Sequence, residues 1–175
     1  MAQGIGMDSG WPEQLAVDSH QLTVLRAVLA AAAPQEGCAL LLGQPARSGP
    51  ETPAPAHVQL IWPCLNIWPQ KEQRCGRFAI DPREQLLAQR WGRQRGWQVL
   101  GTAHSHPSSA AIPSSTDCAW AFPPALMLIL GVSAELRAWW IAESAEDSSA
   151  LPAARELELI QPDVRSFRGG GDLGE

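Results

Sequence analysis

Two histidines separated by one residue are the side chains in this sequence with the clearest capacity for chemistry. His104 and His106 directly follow residues 97–103, an apolar segment that is predicted to form a strand. Alternate residues of a strand point to the same face of its sheet, so both imidazole rings are expected to face one point. Imidazole nitrogens are common zinc ligands, so this pair predicts part of a metal site.

A carboxylate follows the histidines closely along the chain. Pro107 turns the backbone away, and Ser114 is suited to cap a short helix that carries Asp117. Ser114 and Asp117 lie three residues apart, about one helical turn, so their side chains can face the same spot. Alone, Ser114 would be an ordinary helix cap and Asp117 an ordinary acidic residue in the first turn of a helix. Two histidines and one carboxylate leave a fourth position for water, which is the arrangement of catalytic zinc sites.

Hydrolysis by such a site also needs a base that takes a proton from water and passes it to the leaving amine. Glu36 is the candidate. It lies in residues 34–43, PQEGCALLLG, between a predicted helix and a predicted buried strand. A lone glutamate in this position would usually be an exposed loop residue, so its assignment depends on the other three residues.

Together these residues resemble the JAMM (MPN-type) metallopeptidase family. The string HSHP, six further residues, Ser114 and then Asp117 is similar to the family signature HxHPx(6–8)SxxD. Residues 34–43 are similar to the family's glutamate segment, P-x-E-x-C-G-x-L-x-G, except that Ala39 replaces the usual glycine. Residues 81–86, DPREQL, resemble small bacterial members of the family, and the whole resemblance covers roughly residues 22–141.

The resemblance implies a role for each residue. His104, His106 and Asp117 would bind Zn²⁺, Glu36 would shuttle the proton, and Ser114 would stabilise the oxyanion. It also implies amide or isopeptide hydrolysis after the Gly-Gly end of a ubiquitin-like or sulfur-carrier protein. Three alternatives remain open: a non-catalytic MPN-type scaffold, a zinc peptidase acting on small peptides, and another divalent ion such as Fe²⁺ in place of zinc.

The predicted elements favour one domain over residues 18–167, of class α/β or α+β, and the resemblance implies that it is JAB/MPN-like. Residues 1–17 are expected to be a flexible N-terminus, and residues 168–175, which contain three consecutive glycines, a flexible tail. The helices are predicted at 20–33, capped by Ser19, and at 82–95, capped by Asp81, with Leu86, Leu87 and Trp91 on the apolar side. Strands are predicted at 38–42, 57–65, 77–80, 97–103, 125–132, 136–142 and 155–160. The predicted hairpin of 125–132 and 136–142 favours a mixed sheet flanked by helices.

Composition and charge argue against several other classes of protein. The 175 residues carry a formal charge of −5, which argues against a nucleic-acid binder. No apolar run approaches the roughly 20 residues of a membrane span, and no signal peptide is apparent, so a cytoplasmic protein is expected. The four cysteines have no CxxC spacing and are interpreted as free, buried thiols in preference to a second zinc site. The oligomeric state and the partner's identity are open.

Overall fold

The computed structural model of the chain describes residues 12–47, 54–121, 124–142 and 153–162. Three α-helices lie in this part of the chain: α1 (Ser19–Ala30), α2 (Pro82–Arg93) and α3 (Ser115–Trp120). Its strands are β1 (Gln14–Val17), β2 (Cys38–Gln44), β3 (Ala56–Cys64), β4 (Gln98–Ser105), β5 (Ala125–Leu130), β6 (Leu136–Ala142) and β7 (Ala153–Ile160).

The described strands form one mixed sheet in the order β1-β3-β2-β4-β5-β6-β7. The sheet closes on itself because β1 pairs in parallel with both β3 and β7. Strand β4 lies in the interior of the sheet, antiparallel to β2 and parallel to β5. Strands β5 and β6 form the predicted hairpin. The predicted mixed sheet flanked by helices is therefore confirmed.

The central strands are buried on both faces, which explains their nearly continuous apolar sequences. In β2, Ala39 and Leu41 belong to the core that also contains Leu25 and Leu29 of α1. The alternate residues Leu40 and Leu42 pack on the other face, with Ala88 of α2. A third apolar cluster includes Cys118 of α3 and Ile129 of β5. The sheet that contains β4 is thus packed against other elements on both faces.

The chain's beginning differs from the prediction of a flexible N-terminus up to residue 17. Residues 14–17 form β1, and Leu15 and Val17 are completely buried between β3 and β7. Asp18 is the N-cap residue of helix α1, although its side chain makes no capping hydrogen bond, so Ser19 is the first residue of the helix, which ends at Ala30. Residues 1–11 and the predicted flexible tail at 168–175 lie outside the described residues.

Two further predictions are wrong because they depended on contacts that sequence does not reveal. Residues 77–80 are extended but are not a strand, since the Asn66 side chain bonds their backbone in place of a neighbouring strand. On α2, Leu86 and Leu87 are 63% and 52% exposed, whereas Ala88 and Gly92 are buried. The third predicted residue, Trp91, does pack with Ala88 against Leu40 and Leu42 of β2. A Cβ at Gly92 would lie only 3.1 Å from the Trp97 carbonyl oxygen, so this position favours a small residue.

All four cysteines are free, but only two are buried. Cys38 and Cys118 are buried as expected, Cys64 is half-buried and Cys75 is exposed. None of the described helices has the length and apolar character needed to cross a membrane.

Candidate metal centre

The two histidines lie at the end of β4, where strand alternation places both rings on the face that carries α2. Ala103 packs into the α1 core, and the next residue, His104, points the opposite way and is completely buried. His106 follows one residue after the strand and is also buried. The Nε2 atoms of the two rings lie 3.0 Å apart. The predicted pair is thus brought together.

The second ring nitrogen of His106 indicates which of its atoms is free to bind a metal. His106 Nδ1 lies 2.9 Å from the Ala110 carbonyl oxygen, which can only accept, so this nitrogen donates its hydrogen and, in the neutral ring, Nε2 carries the lone pair. The same outer hydrogen bond orients metal-bound histidines in proteins. The Phe78 ring stacks on His104, with centroids 4.6 Å apart, and holds that ring in place.

Asp117 completes the group from the short helix α3. Its Oδ1 lies 3.4 Å from His104 Nε2, and its Oδ2 lies 3.4 Å from His106 Nε2. The ligand atoms of these three residues lie within 4.8 Å of one another, and no other such group occurs among the described residues. The Nε2 atoms of both rings face this carboxylate in a buried site, and two neutral imidazoles with one carboxylate are a donor set that zinc binds, so the residues present fit a zinc ion.

Ionisation in the site follows this arrangement. Burial raises the pKa of Asp117, but hydrogen bonds with His104 and His106 outweigh burial and hold it far below its usual range. Burial lowers the pKa of His104, which favours the neutral imidazole that a metal requires. Burial also acts to lower the pKa of His106, but hydrogen bonds with Asp117 and Ala110 raise it overall. The carboxylate is therefore the permanent negative charge of the site.

Glu36 lies between α1 and β2, beside this group. Its side chain is buried, and among the described residues its carboxylate has no hydrogen-bond partner. Burial raises the pKa of Glu36 to about 7; His106 partly offsets this effect and Asp117 adds to it. A carboxyl group with a pKa near neutrality is suited to take up and return a proton.

Ser105, the residue between the histidines, connects them to the glutamate segment. Its Oγ accepts a 2.8 Å hydrogen bond from Gly37 N–H, and its own N–H donates to the Gly37 carbonyl at 3.0 Å. A side chain at Gly37 would collide with the backbone of Leu29, since a Cβ there would lie 2.6 Å from the Leu29 oxygen. These hydrogen bonds tie Gly37 to Ser105, the residue between the histidines, and Glu36 directly precedes Gly37. The glutamate segment is therefore fixed to the segment that carries the two histidines.

Ser114 caps α3 and also holds Asp117. The Ser114 N–H donates to Asp117 Oδ2 at 2.7 Å, and Ser114 Oγ accepts from the Asp117 N–H at 3.1 Å. The predicted cap is therefore confirmed. Because Oγ acts as an acceptor in this pair, its own hydrogen remains available to a substrate oxygen. Ser114 is exposed, so a substrate can reach it.

The loop from His106 to Ser114 is held at Ala111 by the β5–β6 hairpin. The Trp139 indole N–H donates to the Ala111 carbonyl at 2.9 Å, and the Ala111 N–H donates to Glu135 Oε1 at 2.9 Å. A hydrogen bond from Ser133 and the one from Ala111 lower the pKa of Glu135 to about 2. These two bonds fix the middle of the loop between His106 and α3, the helix that carries Asp117.

Sequence reasoning missed the residues that support the site from a distance. Asn66 is the only asparagine in the chain, and its side chain bonds the backbone of Glu36, Arg77, Trp68 and Ala79. The sequence offers no signal for Phe78 beyond its apolar character. For Asn66 the available signal was its occurrence in a loop, where asparagine commonly bonds nearby backbone.

A groove of about 570 Å³ leads to Asp117. Its floor is formed by residues 99–102 of β4 and 125–127 of β5. Residues 76–80 and the start of α2 form one wall, and Thr116, Asp117 and Trp120 of α3 form the other. The lining is mainly apolar, and it ends at the candidate metal ligand.

A family model and two solved structures agree with this architecture. A family model described as prokaryotic homologs of the JAB domain matches residues 18–142. A solution structure of a protein from Desulfitobacterium hafniense is 29% identical, with a TM-score of 0.68 over 86% of this chain and 94% of that one. A second, from Salinibacter ruber, is 28% identical, with a TM-score of 0.58 over 86% and 93%. A JAB1/MPN domain protein from Archaeoglobus fulgidus is 18% identical, with a TM-score of 0.45 over 86% and 100%. No curated protein matches the sequence.

Proposed function

Because the chain belongs to the family of prokaryotic JAB-domain homologs, as its motifs predicted, we propose that it is a zinc-dependent hydrolase of amide or isopeptide bonds. The proposed substrate is a ubiquitin-like or sulfur-carrier protein, cut after its Gly-Gly end. The observation that carries the proposal is the convergence of His104, His106 and Asp117 beside Glu36, a buried carboxyl group with a pKa of about 7.

His104 Nε2, His106 Nε2 and the Asp117 carboxylate would hold the zinc ion. When bound, zinc supplies Lewis-acid polarisation of the scissile carbonyl and makes water more acidic. A metal-binding scaffold would not need a carboxyl group of raised pKa beside the ligands. The presence of Glu36 therefore favours the hydrolase over the scaffold.

The remaining steps are assigned to the chain's own groups. Glu36 accepts a proton from the attacking water at its carboxylate and returns it to the leaving nitrogen, which its pKa near neutrality favours. The free hydroxyl hydrogen of Ser114 donates to the oxygen of the scissile carbonyl as negative charge develops there. The capping bonds with Asp117 hold Ser114 in place for this donation.

The groove supports an extended peptide as the substrate. Among the described residues, the backbones of Phe78 and Ile80 make no hydrogen bonds, whereas Ala79 between them bonds Asn66 and Ile67. In an extended segment, alternate residues direct their backbone groups to opposite edges. Phe78 and Ile80 can therefore pair with a peptide in the groove by β-augmentation, a recurring mode of peptide binding.

The first experiment compares wild type, His106→Ala and Glu36→Gln. After dialysis, elemental analysis is expected to find about one zinc per chain in wild type and in Glu36→Gln, but almost none in His106→Ala. Mass spectrometry then follows the cleavage of sulfur-carrier proteins extended beyond Gly-Gly. Glu36→Gln is expected to lower kcat by about 10²-fold or more while the metal is retained, because a general base is lost.

Two results would contradict the proposal. Negligible zinc in both wild type and His106→Ala, despite zinc supplied during purification, would reject the metal site and favour the scaffold. Full zinc occupancy with no cleavage of any carrier, while short peptides are hydrolysed, would favour the small-peptide alternative.

A further inference from the structure

Two tryptophans join the opposite walls of the groove. Trp68 lies in the loop after β3, and Trp120 is the last residue of α3. Their rings meet edge to face, with centroids 5.8 Å apart and planes at 75°. Both residues line the groove. Trp120 belongs to the wall formed by α3, and Trp68 lies beside Arg77 of the opposite wall, so the contact forms a bridge between the two sides.

Several contacts hold Trp68 in place. Its indole N–H donates to Gln73 Oε1 at 3.2 Å, and its backbone N–H donates to Asn66 Oδ1 at 3.0 Å. Its carbonyl accepts a 2.7 Å hydrogen bond from Arg74 Nε. The Arg77 guanidinium lies 5.3 Å from the ring centroid. Trp68 is therefore a fixed support, against which the ring of Trp120 rests.

The bridge lies next to the candidate metal ligand. Trp120 follows Asp117 by three residues on α3, about 4.5 Å along the helix axis. Because Trp120 and Asp117 both line the groove, a peptide that reached Asp117 through it would pass the bridge close to its scissile bond. Trp120 nevertheless remains 68% exposed, an unusual position for the largest apolar side chain. Its contact with Trp68 supplies only about 0.5–1.5 kcal/mol, so core packing does not account for its position.

We propose that the Trp68–Trp120 bridge determines specificity by limiting the substrate residues next to the scissile bond to glycine. Glycine has no Cβ, so its backbone can pass closer to the two rings than that of any other residue. An alanine would direct a methyl group at an indole ring. The inference rests on the proposed function and deepens it, because it names the residues that would select a Gly-Gly end.

The test uses zinc-loaded full-length protein and two synthetic ten-residue peptides that differ only in an internal Gly-Gly or Gly-Ala before the cleaved bond. Wild type is expected to prefer Gly-Gly by roughly 10–200-fold in kcat/KM, the discrimination that one extra carbon produces in a confining site. Trp120→Ala and Trp68→Ala are each expected to reduce this ratio at least about fivefold. The reduction should come from faster cleavage of the Gly-Ala peptide.

Leu86→Ala is the matched control, since Leu86 is similarly exposed but does not line the groove. It should keep the wild-type ratio. Zinc content and thermal unfolding of each variant show whether the fold and the metal site are intact. An unchanged Gly-Gly preference in both tryptophan variants would refute the proposal.

A binding measurement separates this inference from the proposed hydrolysis. Isothermal titration calorimetry compares the two peptides on Glu36→Gln, with and without Trp120→Ala. Tighter binding of the Gly-Gly peptide that Trp120→Ala abolishes would support the bridge, even if wild type cleaves neither peptide. Binding of neither peptide, or equal binding of both by Glu36→Gln, would overturn it.

Discussion

Replacing Asn66 with alanine would remove four hydrogen bonds that hold the backbone around the candidate site. Its amide nitrogen donates to the carbonyls of Glu36 and Arg77, at 3.1 and 2.9 Å. Its amide oxygen accepts from the N–H groups of Trp68 and Ala79, at 3.0 and 3.3 Å. One side chain thereby connects the backbone of Glu36, the proposed base, to Arg77 and Ala79, the residues on either side of Phe78.

The expected loss of stability follows from these bonds. Each hydrogen bond contributes about 0.5–1.5 kcal/mol net, and the site is half-exposed, so Asn66→Ala should cost about 2–4 kcal/mol. For a chain of this size, 1 kcal/mol corresponds to roughly 2–4 °C in Tm. Zinc-loaded Asn66→Ala should therefore unfold about 4–16 °C below wild type. The variant should also lose zinc to a chelator more readily, because Phe78 would no longer be held against His104.

Thermal unfolding followed by near-ultraviolet circular dichroism measures this effect, and competition with a chelator measures zinc affinity. Gln70→Ala is the control, because Gln70 is exposed in the same loop and its side chain makes no hydrogen bond in the described structure. It should unfold within about 1 °C of wild type. If Asn66→Ala also unfolded within that limit, the four bonds would not stabilise the loop and this reasoning would be wrong.

Two other predictions concern pH. Glu135 has a folded-state pKa of about 2, below its ordinary value of 4.5, so its stabilising contribution is present above pH 4.5 and is lost as the pH falls towards 2. The Tm difference between wild type and Glu135→Gln should therefore shrink across this window; an equal difference at pH 2 and pH 6 would contradict the assignment. Glu36 has a raised pKa of about 7, so its burial destabilises the zinc-free protein progressively from pH 4.5 to above pH 7. Zinc-free Glu36→Gln should accordingly unfold at a higher temperature than zinc-free wild type at pH 8 but not at pH 4, and a lower Tm at pH 8 would exclude this explanation.

Several elements could be predicted because the interactions that form them join residues close together in the sequence. The start of α2 was predictable because the Asp81 side chain accepts from the Arg83 N–H at 2.9 Å and Pro82 occupies the first turn, interactions within three residues. The Ser114–Asp117 capping box is equally local. The hairpin of β5 and β6 followed from two apolar runs around a short turn.

Predictions failed where distant contacts decide the structure. Residues 77–80 have a strand-like sequence, but the side chain of Asn66 occupies the hydrogen-bonding positions that a strand would fill. Leu86 and Leu87 are the most apolar residues of α2, yet the helix packs on the sheet through Ala88 and Trp91, of which only Trp91 was predicted. The packing surface of a helix depends on the shape of its partner, which periodicity alone does not describe.

The sequence by itself determined which residue types could form a metal site and the local geometry that orients them. Strand alternation places His104 and His106 on one face, and a helix cap couples Ser114 to Asp117, because both effects depend only on neighbours along the chain. The tertiary structure alone decided that Asp117 lies 3.4 Å from both imidazoles and that Glu36 is buried beside them. It also brought together Trp68 and Trp120, which are far apart in sequence. Distances between such segments, and the burial that shifts the pKa of Glu36, depend on how the sheet and helices pack.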